Sequence, residues 1–204
     1  VAPSEPDFNY TRVATVMDDY VRIKHYIEVV GGVSEILLER KNDNGVFVPL
    51  ARIPVTSENV DYIDNEVTPD RKSYYYRVKI IDSCGNEGAT ANEVRTMLLK
   101  VQTNDIRMTN YLSWNAYEGF KGSIIRYNVY RGIDGVYEWA PLASLSSNTL
   151  FYEDDLINEP NLSGKVCYYI EAVESMNMYA FSEKSRSNEV CAVFEPLIYI
   201  PNAF

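Results

Sequence analysis

One stretch of alternating residues occurs twice in this chain. Residues 74–82 read YYYRVKIID, and residues 166–174 read VCYYIEAVE. Aromatic and β-branched side chains fall on every second position, which is the period of a β-strand with one buried face. A polar loop and a short Asn-Glu-Val match follow each stretch, at residues 92–94 and 188–190. A repeat at this spacing predicts two copies of one small β unit.

The remaining apolar runs predict further strands in each copy. In the first copy, strands are predicted at residues 8–16, 20–28, 34–40, 46–53, 60–64, 74–82 and 92–101. In the second copy, they are predicted at residues 106–115, 124–131, 136–145, 150–154, 165–174 and 187–194. About seven short strands in a copy of roughly 90 to 100 residues is typical of an immunoglobulin-like sandwich. The sequence therefore predicts an all-β fold of two such sandwiches, without a long helix.

Charge and hydropathy exclude several functions. The 204 residues carry a net charge of -10 and no long basic run, so nucleic acid and anionic membrane surfaces are poor partners. No stretch approaches the roughly 20 apolar residues of a membrane-spanning helix, and we expect no membrane insertion. No basic-then-apolar signal sequence opens the residues given.

The motifs of both copies, taken in order, resemble the fibronectin type III domain. They are Trp114 in the second strand, YNVYR at residues 127–131, YED at residues 152–154, and the repeated strand itself. The resemblance implies two tandem fibronectin type III sandwiches, at residues 1–101 and 102–195. Two positions depart from the family pattern. His25 replaces the usual tryptophan in the first copy, and Val166 replaces the tyrosine-corner residue that Tyr74 supplies there.

The cysteines leave two interpretations open. By alternation, Cys167 and Cys191 lie on the outer faces of neighbouring antiparallel strands, within disulfide reach. They form a disulfide, which would stabilise the fold by roughly 3 kcal/mol and imply an oxidising compartment, or they are two free thiols. Cys84 lies in a loop and is a free thiol or pairs outside this region. The spacings do not match a zinc site, and we expect no metal or other cofactor.

Catalysis is not expected. His25 is the sole histidine, and it lies on the core-facing side of a predicted strand, where it cannot serve a Ser-His-Asp arrangement. The acidic pairs at residues 18–19 and 154–155 lie at strand ends, where solvated turn residues are the usual interpretation. We therefore predict that the chain is not an enzyme.

A binding surface is the stronger candidate. On the sheet that holds strands three, six and seven, outward positions are occupied by Tyr130 and Tyr169 in the second copy, and by Leu37, Tyr75 and Arg77 in the first. Exposed aromatic residues often mark contact surfaces, here for a surface glycan or a protein. The alternative is cross-strand pairing that only stabilises each sheet.

Residues 196–204 do not fit the second copy. They end in IYIPNAF, which resembles the opening of the gliding-motility-associated C-terminal domain, the type IX secretion sorting domain of Bacteroidetes. Members of that family typically continue into Thr-Pro-Asn-Gly-Asp-Gly. The resemblance implies export across the outer membrane to the cell surface or the medium.

These observations predict a non-catalytic spacer and presentation module of a secreted surface protein, adhesin-like, whose partners are the neighbouring domains of its own chain. The alternative is an accessory or glycan- or protein-binding module of a secreted polysaccharide-degrading enzyme. Because only residues 102–105 separate the two predicted copies, we expect moderate stiffness between them.

Overall fold

The computed structural model describes residues 6–29, 32–159 and 164–193 as strands and loops. These residues contain no α-helix, so none of them forms a helix that could cross a membrane. The first copy comprises β1 (Asn9–Met17), β2 (Tyr20–Ile27), β3 (Val33–Lys41), β4 (Phe47–Pro54), β5 (Asn59–Asp64), β6 (Tyr75–Asp82), β7 (Glu87–Thr90) and β8 (Val94–Arg95). The second comprises β9 (Leu99–Asn104), β10 (Thr109–Trp114), β11 (Ile124–Ile133), β12 (Val136–Tyr137), β13 (Ala143–Leu145), β14 (Phe151–Asp155), β15 (Lys165–Glu174), β16 (Lys184–Arg186) and β17 (Val190–Val193).

Each copy is a sandwich of two antiparallel sheets. In the first domain, the sheet β1-β2-β5 faces the sheet β4-β3-β6, and β7 and β8 both pair with β6. In the second domain, β14-β10-β9 faces a sheet in which β11 pairs with β12, β13 and β15, and β15 pairs with β16 and β17. The predicted third, sixth and seventh strands thus share one sheet in each copy. The prediction of tandem immunoglobulin-like sandwiches with the fibronectin type III fold is confirmed.

The repeated strand alternates as predicted. In β6, Tyr76, Val78 and Ile80 are buried in the first core, and the chain enters this strand through Tyr74. The Tyr74 hydroxyl accepts a hydrogen bond of 2.8 Å from the backbone N–H of Thr68, six residues upstream. This is the tyrosine corner that the resemblance implies, and it fixes the turn between the two sheets.

The predicted seventh strand of the first copy, residues 92–101, is wrong in its second half. The first domain's sheet ends at β8, and β9 pairs with β10, so that Leu99 lies opposite Trp114. Met97 is already buried in the second core. Residues 99–101 therefore belong to the second sandwich, although the predicted boundary followed residue 101. Because the alternation of side chains continues across residues 92–101, it cannot show that the chain passes there from a sheet of the first domain to a sheet of the second. Residues 196–204 lie outside the described ranges.

Candidate functional site: outer sheet faces and interdomain interface

The two tyrosines predicted as a contact surface on the second domain lie against each other. Tyr130 on β11 is opposite Tyr169 on β15, and their rings stack 4.6 Å apart at an interplanar angle of 13°. Tyr169 also contacts the ring of Tyr137 at 5.1 Å and the guanidinium of Arg186, whose Cζ is 4.0 Å from the ring centre. Burial raises the pKa of both stacked tyrosines. The stack and its two neighbours thus join β11, β12, β15 and β16.

The corresponding face of the first domain carries a second set of aromatic and charged contacts. The Arg95 guanidinium lies 5.0 Å from the ring centre of Tyr75, and that of Arg77 lies 4.1 Å from the ring centre of Phe47. Arg77 Nε also donates a hydrogen bond of 2.6 Å to Glu39. The predicted surface residues Tyr75 and Arg77 are thus held by their own sheet.

Leu37 is not a surface residue. It was predicted to face outward into solvent, but its side chain is only 3 % exposed. Leu37 lies between Arg52 on β4 and Lys79 on β6, its partners in the two flanking strands. Long charged side chains cover apolar neighbours with their aliphatic stems while their charged ends stay in water. The predicted outward position of Leu37 is thus correct, and its predicted exposure to solvent is wrong.

The geometry of both faces fits cross-strand pairing, the alternative that the sequence left open. Each of the four half-buried candidates makes an aromatic, cationic or ionic contact within its own domain. A contact between these faces and a glycan or protein stays a prediction.

The two cysteines of the second domain form a disulfide. Cys167 on β15 lies directly opposite Cys191 on β17, with 4.0 Å between their Cα atoms. Cys167 is 3 % exposed although it lies on the outer face. The ring of Tyr137 covers this region because Gly132, opposite Cys167, leaves it room. Cys84 is exposed and has no disulfide partner among the described residues.

We expect the Cys167→Ala/Cys191→Ala variant to lose about 3 kcal/mol of the free energy of unfolding. The bond closes a loop between residues 24 positions apart, and its removal restores the conformational freedom of the unfolded chain. Urea denaturation followed by tyrosine and tryptophan fluorescence measures the change. Cys84→Ala is the control, and a double variant that is as stable as this control would contradict the prediction.

The chain's histidine is a core residue, as its strand position predicts. His25 is buried, and its Nδ1 lies 3.2 Å from the hydroxyl of Thr11. Nε2 is also buried, and no described residue makes a hydrogen bond to it. Burial lowers the pKa of His25 to about 3. The imidazole is therefore neutral near pH 7 and shut away from any substrate.

We expect the free energy of unfolding to fall by about 2 kcal/mol between pH 7 and pH 5 because of His25. The unfolded imidazole gains a proton near pH 6.5, whereas the folded one stays neutral down to about pH 3. Between these values the unfolded state binds more protons, so stability is present above the unfolded pKa and is lost as the pH falls. Urea denaturation at both pH values measures this.

His25→Phe keeps a ring in the core and removes the titration, so its stability should change less over the same interval. An unchanged pH dependence in this variant would show that other groups cause it.

Each domain contains a group of a buried tyrosine, a buried aspartate and a half-buried arginine, which we call the Tyr-Asp-Arg triad. In the first domain, Asp64 at the end of β5 is 1 % exposed. It accepts hydrogen bonds from the Tyr76 hydroxyl at 2.8 Å and from Arg40 Nη1 at 2.6 Å. Burial, and then the Asp64 charge, raise the pKa of Tyr76, which stays a donor. The triad ties β5 of one sheet to β3 and β6 of the other.

The second domain repeats the triad at Asp154, Arg131 and Tyr168. Arg131 Nη1 donates to Asp154 at 3.1 Å, and the Tyr168 hydroxyl donates at 2.7 Å. Asp154 was predicted to be a solvated turn residue, and this was wrong because the arginine and the tyrosine let the carboxylate be buried. The triads bridge the two sheets of each sandwich.

The two domains are docked through the free edge of β1. The backbone N–H of Ala14 donates to the Tyr117 hydroxyl at 3.1 Å, and the Ser185 hydroxyl donates to the Ala14 carbonyl at 2.8 Å. The backbone N–H of Arg186 donates to the Thr15 hydroxyl at 2.8 Å. Side chains and backbone of the second domain thus cover an edge that would otherwise be open to another strand.

Apolar packing continues this interdomain interface. Val13, which follows a bulge in β1, points away from the first domain's core into the second domain's core cluster, where it is 1 % exposed. The next residue, Ala14, packs in the first domain's own core. Val13 of the first domain therefore completes the core of the second. Such packing holds the two domains in one relative orientation, whereas a flexible contact would not.

Charged groups complete the interface. Glu183, which is mostly buried, forms ion pairs with Arg12 and, at 3.7 Å, with Lys24. On the other side of β1, Arg95 Nη1 is paired with Glu118 at 2.8 Å. Ion pairs of this kind fix the register of two surfaces more than they add affinity.

The coupling of the domains therefore has a different origin from the one expected. The sequence suggested stiffness from a short connection at residues 102–105, but Gln102, Thr103 and Asn104 are paired within β9 and β10. The chain crosses between the domains at residues 96–98, and the interface beside β1 holds them. The sequence predicts a strand at residues 8–16, but its pattern does not mark Val13, Tyr117, Ser185 or Glu183 as interface residues.

Two solved structures align with this chain at low sequence identity. No protein-family model and no curated protein sequence matches the chain. A fibronectin type III-like protein from Clostridium thermocellum aligns at 19% identity and a TM-score of 0.34, covering 50% of this chain and 100% of its own. The three-domain FN1–FN3 fragment of chicken CNTN1 aligns at 13% identity and a TM-score of 0.31, covering 91% of this chain and 67% of its own. With TM-scores this low, the fold rests on the strand order and pairing described above.

Proposed function

We propose that the two sandwiches act as one rigid, non-catalytic module that spaces and presents neighbouring domains of an extracellular, adhesin-like protein. The observation that carries the proposal is the interdomain interface, in which Val13 of the first domain packs in the second domain's core. A spacer that sets the direction of its neighbours needs a fixed angle between its own domains, and tandem domains without such packing move independently.

The disulfide and the charge support an extracellular setting. Disulfides such as Cys167–Cys191 persist in oxidising compartments, and the net charge of -10 disfavours nucleic acid as a partner. The resemblance of residues 196–204 to a type IX sorting domain leads us to propose export across the outer membrane. The gene downstream of Phe204 tests this proposal. Continuation into Thr-Pro-Asn-Gly-Asp-Gly is expected, and continuation into a cytosolic enzyme domain would contradict it.

NMR relaxation of the 204-residue protein tests rigidity directly. If the module is rigid, amides of β6 and β15 report one rotational correlation time, that of a 23.3 kDa particle. Small-angle scattering should also fit a single conformation. Separate correlation times for the two domains would exclude the rigid module and leave two sandwiches on a flexible connection.

A further inference from the structure

A pocket of about 320 Å³ opens where the start of β1 meets two loops of the second domain. Asp7, Thr90 and Asn92 lie on the first domain's side, and Lys121 and Tyr179 lie on the second domain's side. We call it the interdomain pocket. It lies apart from the tyrosine stack on β11 and β15, and it exists only where the two domains are docked.

Four polar side chains that line the interdomain pocket have no hydrogen-bond or ion-pair partner in the described part of the chain, whereas Asn9, Tyr10 and Asn92 are hydrogen-bonded. Among the described residues, the carboxylate of Asp7 and the ammonium of Lys121 form no ion pair, although both line the same opening. The hydroxyls of Thr90 and Tyr179 likewise have no hydrogen-bond partner in the described part of the chain. Elsewhere along the interface the charges are matched, as at Glu183. Asp7, Thr90, Lys121 and Tyr179 thus surround one concave space, and the first three are exposed to solvent and open to a ligand.

One wall of the pocket is a fixed aromatic ring. Phe8 packs edge-on against Tyr179, with 4.7 Å between the ring centres and an interplanar angle of 88°. Tyr10 lies 6.2 Å from Tyr179, and its hydroxyl accepts a hydrogen bond of 2.7 Å from the backbone N–H of Lys121. Lys121 Nζ is 5.6 Å from the centre of the Tyr179 ring. The ring and the ammonium are therefore positioned together before any ligand arrives.

We propose that the interdomain pocket binds a neutral hexose unit of a glycan. A hexose ring has an apolar C–H face that can lie on the Tyr179 ring, and hydroxyls around its rim that both donate and accept. The carboxylate of Asp7 accepts from one hydroxyl and the ammonium of Lys121 donates to another, so both charged groups gain charge-assisted hydrogen bonds. One positive and one negative group favour a neutral ligand over an anionic one. The volume suits a single ring, since ligand pockets begin at roughly 300 Å³.

This inference goes beyond the spacer role, since it adds a binding site, and it depends on the docking that the spacer role also needs. Because the pocket is shallow and polar, a single hexose should bind with a Kd of about 1–10 mM. Several units presented on one polymer, or several modules on one cell, would raise the effective affinity.

Two-dimensional amide NMR of the 204-residue protein tests the proposal with D-glucose, D-galactose and D-mannose as separate probes. The expected result is that at least one hexose shifts the amides of Asn92, Lys121 and Tyr179 with a single saturation curve. Lys121→Ala should weaken this binding about tenfold, as loss of a charge-assisted hydrogen bond does. Lys165→Ala, which removes an exposed lysine from another part of the second domain, should leave it unchanged. The amide of Ser185 reports in each variant whether the domains are still docked.

The proposal is overturned if none of the three sugars gives a saturable shift at these amides, or if docked Lys121→Ala binds as tightly as the unchanged protein. Binding that persists when the domains are separated would also overturn it, because the pocket would then be unnecessary. If the domains are docked but no hexose binds, the result contradicts hexose binding at the interdomain pocket and leaves the rigid module standing. If the domains move independently, the result contradicts the rigid module instead.

Discussion

Replacement of Asp64 with alanine should lower the free energy of unfolding by about 3–5 kcal/mol. The carboxylate is buried and accepts hydrogen bonds from Arg40, Tyr76 and the backbone N–H of Glu66. Without it, the guanidinium of Arg40 loses its paired carboxylate, and a buried tyrosine hydroxyl loses its acceptor. Removing one member of a buried ion pair costs more than the pair contributes, because the remaining charge stays desolvated.

Asp61→Ala is the matched control for Asp64→Ala. Asp61 lies on the same strand, β5, and is also paired with an arginine, Arg22, but both side chains are more than 40% exposed. Exposed pairs contribute about 0–1 kcal/mol, so the control should be nearly as stable as the unchanged protein. Urea denaturation of the two variants gives the comparison. Equal losses of the free energy of unfolding in Asp64→Ala and Asp61→Ala would show that burial of the triad does not cause the destabilisation.

Most of the fold could be predicted from local pattern. Alternation in the repeated strand places Tyr76 and Val78 in the core because side chains of a strand point to opposite faces in turn. The pairing of Cys167 with Cys191 followed from the same rule, applied to two neighbouring strands. Such inferences succeed because they need only the period of one strand and the order of strands in a known sandwich.

The buried triads were harder to predict. Asp154 was assigned to a solvated turn because an acidic pair at a strand end, here residues 154–155, is usually exposed. Its burial depends on Arg131 and Tyr168, which reach it from the opposite sheet. The repeat did hold a signal, since all three residues have counterparts about 90 positions earlier. An aspartate that recurs in both copies together with an arginine and a tyrosine is a pattern that indicates a buried ion pair in each copy.

The interdomain interface and the burial of Leu37 could not be predicted by periodicity. Leu37 is covered by the stems of its cross-strand neighbours, and alternation says which face a residue occupies but not what covers that face. The interface joins residues as distant in sequence as Ala14 and Ser185. Val13 and Ala14 enter different cores by ordinary alternation after the bulge in β1, and alternation does not show that the second domain covers the outer face of this strand.

Val13→Asp should separate the two domains while each sandwich stays folded. Val13 is surrounded by the second domain's core cluster, and an ionised carboxylate there would cost several kcal/mol of free energy. The least costly relief is to undock, because the new carboxylate then lies on the exposed face of β1, the first domain keeps its core, and the second domain loses only the contribution of residue 13. Small-angle scattering should show a radius of gyration larger by about 3 Å or more. The amides of Ala14 and Arg186 should shift, since both donate hydrogen bonds across the interface.

Val48→Asp is the control for Val13→Asp, because it makes the same change at an exposed position on β4. It should alter neither the scattering nor the interface amides. If Val13→Asp instead unfolds the first domain, as shown by loss of the dispersed amides of β2 and β6, then Val13 is needed for that sandwich as well as for docking. If the scattering of Val13→Asp matches that of Val48→Asp, the domains are held by the ion pairs of Glu183 and Arg95 rather than by Val13. A single charge at residue 13 is expected to undock the domains only if the core of the second domain encloses the Val13 side chain of the first.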